Sequence, residues 1–341
     1  MNVQIDENLH YHCVQCGRSC TGWNVWLKDE LAERLKELPI TLRVIQERGQ
    51  AFEREDGTLK MFRNEQHTAC GYLTPQKLCS IHSELGAQAK PKACRQFPYL
   101  MTQLPGGEIR VGASFCCTAV RGLLGPLLPE SRPEIEALIS EGAVIRSVTP
   151  SLPWPQIQAL EAEIEREQAR SGWSQALEAA MKSLTDSDLP ALPLIAQVMP
   201  MSLLKPCLYD TDRELWKRID QGFMGACALE IPEFGWHGPV ADLDQQVANL
   251  NFDAQIGEYL KALWFRKAHL LTSSLLSGLL LLWSLPGILL LLTVLHAHRS
   301  GREPGPEDFS NALDTVEMSL VAHSGNGALV VEQMSLHLHH T

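Results

Sequence analysis

An α+β fold, mostly α, is predicted for this 341-residue chain: a small irregular cysteine-rich domain with short strands, followed by a helical domain. Three observations carry that expectation. Eight of the ten cysteines fall in the first 117 residues, at positions 13, 16, 20, 70, 79, 94, 116 and 117. The segments that alternate like strands are short and lie in the same region. Beyond residue 155, apolar residues recur at helical spacing.

Taken in order, Trp23-Asn24-Val25-Trp26-Leu27 alternates and reads as a short strand. Asp29 follows as a candidate N-cap, and an amphipathic run from Glu30 to Arg48 reads as a helix broken near Pro39. Residues 58–63 and 108–113 alternate, flanked by Gly57 and by the Pro105-Gly106-Gly107 turn respectively, and both are expected in one small sheet. Segment 122–155 carries six prolines and marks a boundary. Behind it, 156–183 is strongly helical through Ile157, Leu160, Ile164, Trp173, Leu177 and Met181, and more helices are expected at 211–229 and 241–266, making the back all-α. The expected division is 1–125 as the cysteine domain, 126–306 as a helical domain with a Leu-rich helix pair, and 307–341 as a tail. That tail should contain a helix from Phe309 to Ala322, a turn at Gly325-Asn326-Gly327 and a frayed His-rich end at His337, His339 and His340.

Between Ala268 and His298 no Asp, Glu, Lys or Arg occurs for 31 residues. Such a length can cross a bilayer. Ser284-Leu285-Pro286-Gly287 splits it into pieces of core-helix length, so two buried helices of a bundle are expected, with a membrane anchor as the competing reading.

With 45% hydrophobic and 20% charged residues the chain is too apolar for disorder. Its first 125 residues carry a net charge of +2 and the remainder −13, with no basic stripe interleaved with aromatics, so nucleic acid is not expected as a partner. Met1 to Tyr11 is polar and acidic, without a basic and then apolar leader pattern, so a cytoplasmic location is expected. In a reducing compartment clustered cysteines are metal ligands or redox groups before they are disulfides.

Cys13-x2-Cys16-x3-Cys20 places three thiolates within eight residues on a loop containing Gly17, and Cys70, Cys79, Cys94, Cys116 and Cys117 supply five more. Such soft ligands select zinc, copper(I) or iron–sulfur. Only one C-x2-C pair is present and the later cysteines are unevenly spaced, which suits a cluster cavity better than a zinc ribbon; eight thiolates serve one cubane with spares, or two at the limit. Around them, His82 is a candidate substitute ligand, Arg95 a candidate to stabilise an anionic cluster or a substrate carboxylate, and Trp23 and Trp26 a candidate apolar shell or core. Lys90, Lys92 and Arg95 form a local basic group. Cys207 and Cys227, alone in helical surroundings, read as buried hydrophobes. Neither a G-x-G-x-x-G nor a P-loop nor a Ser-His-Asp signature appears.

Cys13-Val-Gln-Cys16-Gly17-Arg-Ser-Cys20-Thr-Gly22-Trp23, with Cys70-Gly-Tyr-Leu73-x5-Cys79-Ser-Ile81-His82 and Cys94-Arg95-x-Phe97-Pro98, resembles the cysteine-cluster family of zinc- or iron-chelating proteins that includes the flagellin lysine N-methylases. Gly22-Trp23, Glu84-Leu85-Gly86 after Cys-Ser-Ile, and Cys-Arg-x-Phe-Pro are closer to the methylase branch. Where that family has a double cysteine, this chain has Ser19-Cys20; either Cys116 or Cys117 substitutes, or the site holds less metal than its relatives. The resemblance implies a zinc or iron–sulfur centre, 4Fe–4S first among them, and transfer of a methyl group from S-adenosylmethionine to lysine amines of a protein such as flagellin. A non-catalytic chelator and a membrane-anchored cysteine-cluster protein are the alternatives.

Overall fold

The computed structural model describes residues 2–21, 25–63, 69–185, 228–231, 234–272 and 274–322. The expected helix at 211–229, the Gly325 turn, the His-rich end, Trp23, Cys207 and Cys227 fall wholly or mostly outside them. The chain divides into two compact units, one of Ile5–Met101 and Val111–Ile145, the other of Met1–Gln4, Thr102–Arg110 and Arg146–Thr341.

The strand at the N-terminus is β1 (Val3–Ile5). β2 (Trp26–Leu27) is the shortened form of the expected first strand. The amphipathic run forms α1 (Asp29–Lys36) and α2 (Pro39–Arg48), broken where Pro39 occupies the first turn of the second helix. Asp29 is not the cap: Lys28 holds that position in extended conformation, and the Asp29 carboxylate instead accepts from Arg54 at 2.9 Å. β3 (Phe52–Glu55) and β4 (Thr58–Met61) form a hairpin over Asp56-Gly57, and β2 pairs along the other edge of β4, Trp26 opposite Lys60. Trp26 is neither apolar shell nor core, since its ring is 47% exposed with the Lys60 ammonium 5.9 Å from its centroid. Two short helices follow, α3 (Ser80–Leu85) and α4 (Lys92–Gln96).

β5 (Tyr99–Gln103) and β6 (Ile109–Ala113) flank the expected Pro-Gly-Gly turn, closed by a 2.8 Å bond from Leu104 N–H to the Glu108 carbonyl. After α5 (Thr118–Arg121) and α6 (Arg132–Ser140) comes β7 (Ile145–Ser147). The strand order is β1-β6-β5-β7 in one sheet and β2-β4-β3 in another, so the two segments expected in one sheet belong to two. Period-2 alternation reports that a segment is extended; which edge it pairs with is set by the chain between.

The long helical stretch is two helices, α7 (Trp154–Ser171) and α8 (Trp173–Thr185), separated by Gly172 at φ +87°. The back is not all-α, because β8 (Ala228–Ile231) and β9 (Trp236–Pro239) pair as an antiparallel hairpin, Leu229 opposite Gly238. α9 (Val240–Ala248) and α10 (Asp253–Phe265) follow.

α11 (Leu275–Arg299) is one continuous helix through Pro286, not the expected pair. Proline inside a helix costs about 3 kcal/mol. Leu279 to Leu282, Leu285, Ile288, Leu289 and Leu292 are all buried on either side of it, and each buried leucine or isoleucine returns about 1.5–3 kcal/mol. Packing therefore outweighs the break. Ser274 caps the helix by accepting from Ser277 N–H at 3.1 Å, and Gly278 lets it pass against the His269 carbonyl, which a Cβ would overlap. α12 (Pro306–Val316), continued by a π-helical turn at Glu317–Val321, lies against it in the same unit, as does α8. By length and composition α11 is long and apolar enough to cross a membrane; 78% of its most apolar window is already buried inside this fold, as in a core helix.

Candidate metal centre

The first cysteine loop is shaped by Gly17, which takes φ +67° immediately before a short turn at Arg18–Cys20. A Cβ there would stand 2.5 Å from the Lys77 carbonyl oxygen, so only glycine lets this loop lie on the 70–79 loop. Gly17→Ala should cost at least about 1–2 kcal/mol from the left-handed backbone alone. A lowered thermal midpoint and weakened metal retention would check it; a wild-type midpoint would contradict the close approach.

The 70–79 loop is a tight reversal with bridges Arg63–Cys70 and Leu73–Cys79, a 2.9 Å bond from Thr74 N–H to the Leu78 carbonyl, and Ser80 bonded through N–H and hydroxyl to the Tyr72 carbonyl. Cys70 N–H donates to the Cys20 carbonyl at 3.0 Å, which joins the two loops. Cys79 stands at the start of α3 and Cys94 lies within α4. Cys70, Cys79 and Cys94 all pack on one apolar cluster containing Val25, Leu27, Ile40, Val44, Met61, Tyr72 and Ile81.

Electrostatics groups the same residues. Burial pushes the Cys20 thiol up to about 12, and charge on Cys70 and Cys79 adds to it. Burial pushes Cys70 up to about 11 against the N–H of Tyr72, with Cys79 again adding. Cys94 is raised further by burial and by Cys70, Cys20 and Cys79. Lys90 opposes the shift at both Cys20 and Cys94.

A second group forms at the other end of the loop. Cys16 Sγ lies 3.7 Å from Thr118 Oγ1, and Cys117 directly precedes Thr118 at the start of α5. Cys117 is raised first by burial and then by Cys16 and Cys13, and lowered by N–H groups of Val120 and Ala119 directed at its sulfur. Cys116 is buried, its N–H donating to Ser114 Oγ at 3.2 Å. Among the described residues none of these eight cysteines is joined in a disulfide.

Cys13 stands on the wall of a pocket of about 270 Å³, together with Tyr11, His82, Lys90, Arg95 and Glu134. Tyr11 meets Tyr99 edge-on at 5.5 Å, and Tyr99 donates to Glu134 at 2.9 Å. Burial lowers His82, helped by the nearby Lys90 and His12. Arg95 forks onto Glu141, with Nη2–Oε2 at 2.5 Å and Nη1–Oε1 at 3.3 Å, and pulls that carboxyl below its usual range. Lys92 donates to the carbonyls of Glu141 and Gly142, away from the thiols.

Residues 12–119 match the model of a family described as a putative zinc- or iron-chelating domain. This segment is similar to that cysteine-cluster family. All eight clustered thiols of the cysteine-cluster domain lie inside the match. No curated protein and no solved structure matches the chain. The donor set suits either metal, since thiolates bind zinc and iron alike. As they stand, no three His, Cys, Asp or Glu side chains among the described residues cage a single ion.

Sequence reasoning passed over a buried polar network in the helical unit. Glu161 accepts from Lys267 Nζ and from His269 Nε2, each at 2.8 Å, and His269 stacks on Trp264 at 4.2 Å. Trp264 Nε1 donates to Glu165 at 2.8 Å, and His269 Nδ1 has no partner among the described residues. Lys267 adopts φ +59°, a conformation a lysine holds only where surroundings impose it. Next to it Arg266 lies 3.4 Å from the fully buried Glu317, which also accepts from Tyr259 at 2.7 Å. One signal was available: Glu161 lies between Ile157 and Ile164 on the apolar stripe of α7.

Proposed function

We propose that this chain is a cytoplasmic iron–sulfur protein, its cluster held by thiolates of the cysteine-cluster domain. The observation that carries this reading is that Cys70, Cys79 and Cys94 pack on one apolar wall, with the Cys20 loop bonded to Cys70. A zinc ion at 2.3 Å from each of four sulfurs holds those sulfurs roughly 3.8 Å apart, in mutual contact. Here the thiols act on one another electrostatically and share one apolar wall, yet no three donors among the described residues cage one ion. A polynuclear cluster, held by thiolates at its separate corners, does not require its ligands to meet at one ion. N–H groups directed at Cys70 and Cys117 would stabilise the bound thiolates, and burial would keep water from the centre.

The activity we propose with it is methyl transfer from S-adenosylmethionine to lysine amines of a protein substrate, flagellin being the first candidate. The specific support is the pocket: Cys13 stands on its wall beside Lys90 and Arg95, so a substrate there would lie next to the thiolate centre. When bound, the cluster supplies electron transfer or an open coordination site.

Protein purified without oxygen tests both parts. Broad visible absorption from thiolate-to-iron charge transfer, with iron and sulfide in equal amounts, is expected. A colourless protein carrying about one zinc would replace the cluster by a closed chelating site. Isotope-labelled S-adenosylmethionine should then label lysines of flagellin; a loaded protein that labels no protein in a flagellated-cell extract would remove the transferase reading.

A further inference from the structure

Lys90, Lys92 and Arg95 stand close together in the sequence, and the fold engages two of the three. Arg95 forks onto Glu141 and also donates from Nη1 to Gln88 Oε1 at 3.2 Å. Lys92 donates to the carbonyls of Glu141 and Gly142. Lys90 is left over: half-buried on the pocket wall, it has no carboxylate partner among the described residues. The same wall carries Glu134, half-buried in the first turn of α6. Its Oε2 accepts from the neutral Tyr99 hydroxyl at 2.9 Å, and the carboxylate pairs with no cation among the described residues, Lys90 included.

We infer that this pocket binds a small zwitterion, the free end of an α-amino acid, with its carboxylate on Lys90 and its ammonium on Glu134. S-adenosylmethionine ends in such a group, whereas a lysine inside a protein offers an ammonium alone. The pocket is therefore assigned to the methyl donor and not to the lysine side chain, an assignment that rests on the transferase reading for the identity of the ligand. Size agrees with an amino-acid group. The cavity of about 270 Å³ falls below the roughly 300–1,000 Å³ of pockets that enclose drug-sized molecules, so the amino-acid end is enclosed and a larger remainder is not.

A half-buried charge without a counter-charge has given up part of its water and gained nothing for it. Two such charges of opposite sign on one cavity wall are both satisfied by a ligand that carries both. A simple anion would answer Lys90 but bring a second negative charge toward Glu134, and a simple cation would answer Glu134 but meet Lys90. Selectivity for the zwitterion follows from that pair. Glu134 is also held ready for it. Tyr99 is buried and meets Tyr11 edge-on at 5.5 Å, so its hydroxyl fixes one carboxylate oxygen and leaves Oε1 without a partner among the described residues. Arg95, already held by Glu141 and Gln88, does not compete for the ligand. Binding of this kind forms no covalent bond and uses no metal, so it is measurable whatever the thiols hold.

The test titrates the full-length chain calorimetrically with three probes: L-methionine, N-acetyl-L-methionine, which lacks the ammonium, and L-methioninamide, which lacks the carboxylate. Wild type, Lys90→Met and Glu134→Gln are compared, with circular dichroism recorded for each. Wild type should bind methionine about tenfold tighter than either blocked form, the worth of one hydrogen bond between charged groups. Lys90→Met should bind methionine about tenfold more weakly and no longer distinguish it from the amide, and Glu134→Gln should no longer distinguish it from the N-acetyl form. Equal affinity of wild type for all three probes, no saturable binding of methionine, or discrimination that survives in both variants would overturn the inference. Should Glu134→Gln fail to fold, the Lys90 arm decides: Lys90→Arg should keep the preference for methionine over its amide, and a preference that Lys90→Met also keeps overturns the site. The transferase reading fails separately. Methionine binding in the expected pattern with no lysine labelled by S-adenosylmethionine supports the site and removes that reading, whereas methyl transfer with an unchanged KM for S-adenosylmethionine in both variants keeps the reading and overturns the site.

Discussion

Cys94→Ser is expected to release metal held by the clustered thiols and to lower the thermal midpoint of that segment sharply. Cys94 lies in α4 against the same apolar cluster as Cys70 and Cys79, and its thiol is held strongly protonated by burial and by its sulfur neighbours. Four such thiols in one place destabilise a metal-free domain if ionised, and a cation converts that repulsion into attraction. Metal binding contributes about 10–16 kcal/mol to the folding of structural zinc sites, comparable to the entire stability of an ordinary domain, about 5–15 kcal/mol. A serine hydroxyl does not replace a thiolate as ligand, so most of that contribution is lost. Thermal melts of the metal-loaded wild type and variant, with metal measured in each, check it. Equal melts would mean that α4 and its core stand without the centre.

Glu161→Gln is the second large effect, in the helical unit. The carboxylate accepts from Lys267 and His269 at 2.8 Å each while all three side chains are buried, so the amide leaves an ammonium without a counter-charge. Breaking a buried ion pair from one side costs about 3–5 kcal/mol. For comparison, Lys261→Ala removes a pair with Glu258 in which both side chains are more than half exposed, and should change stability by less than about 1 kcal/mol. Chemical denaturation of both variants tests the contrast, and similar midpoints for Glu161→Gln and Lys261→Ala would refute it.

The same network makes stability depend on pH. Burial alone would raise Glu161, but the hydrogen bonds from His269 and Lys267 and the charge beside it hold it below its ordinary value. Its contribution is present above the unfolded carboxylate pKa, about 4.3, and is lost as pH falls through the folded value. Burial lowers His269 against the pull of Glu161, so the folded ring is neutral where the unfolded one takes up a proton, below about 6.5. Both signs agree: stability should decline with acidification from about pH 6.5 downward. In His269→Gln the decline should begin only in the carboxylate range. An unchanged onset would show that another group sets it.

How much of this was legible beforehand follows from what each residue has to satisfy locally. Pro39 broke the first helix as a proline must, and Pro105-Gly106-Gly107 turned between β5 and β6, because backbone restriction acts within a few residues. Pro286 did not break α11, because its local cost is met by leucines packing against helices far along the chain. Residues 58–61 and 109–113 alternate alike but pair in separate sheets, since alternation carries no information about partners. At the site, spacing pointed to all eight thiols as candidate ligands, whereas the division of Cys13-x2-Cys16-x3-Cys20 between two surroundings rests on Gly17 and on contacts with residues 50 to 100 positions away.

The sequence by itself determined the class of the fold, the cysteine-rich character of its front and the helical character of its back. These follow from composition and periodicity, which are sums over neighbours in the chain. Tertiary structure alone decided which thiols face one another, that Trp26 faces solvent beside Lys60, that Arg95 is held by Glu141, and that Glu161, Lys267 and His269 meet in the interior. Those are pairings between distant residues, selected because a buried charge or thiol must find its partner before the chain can close around it.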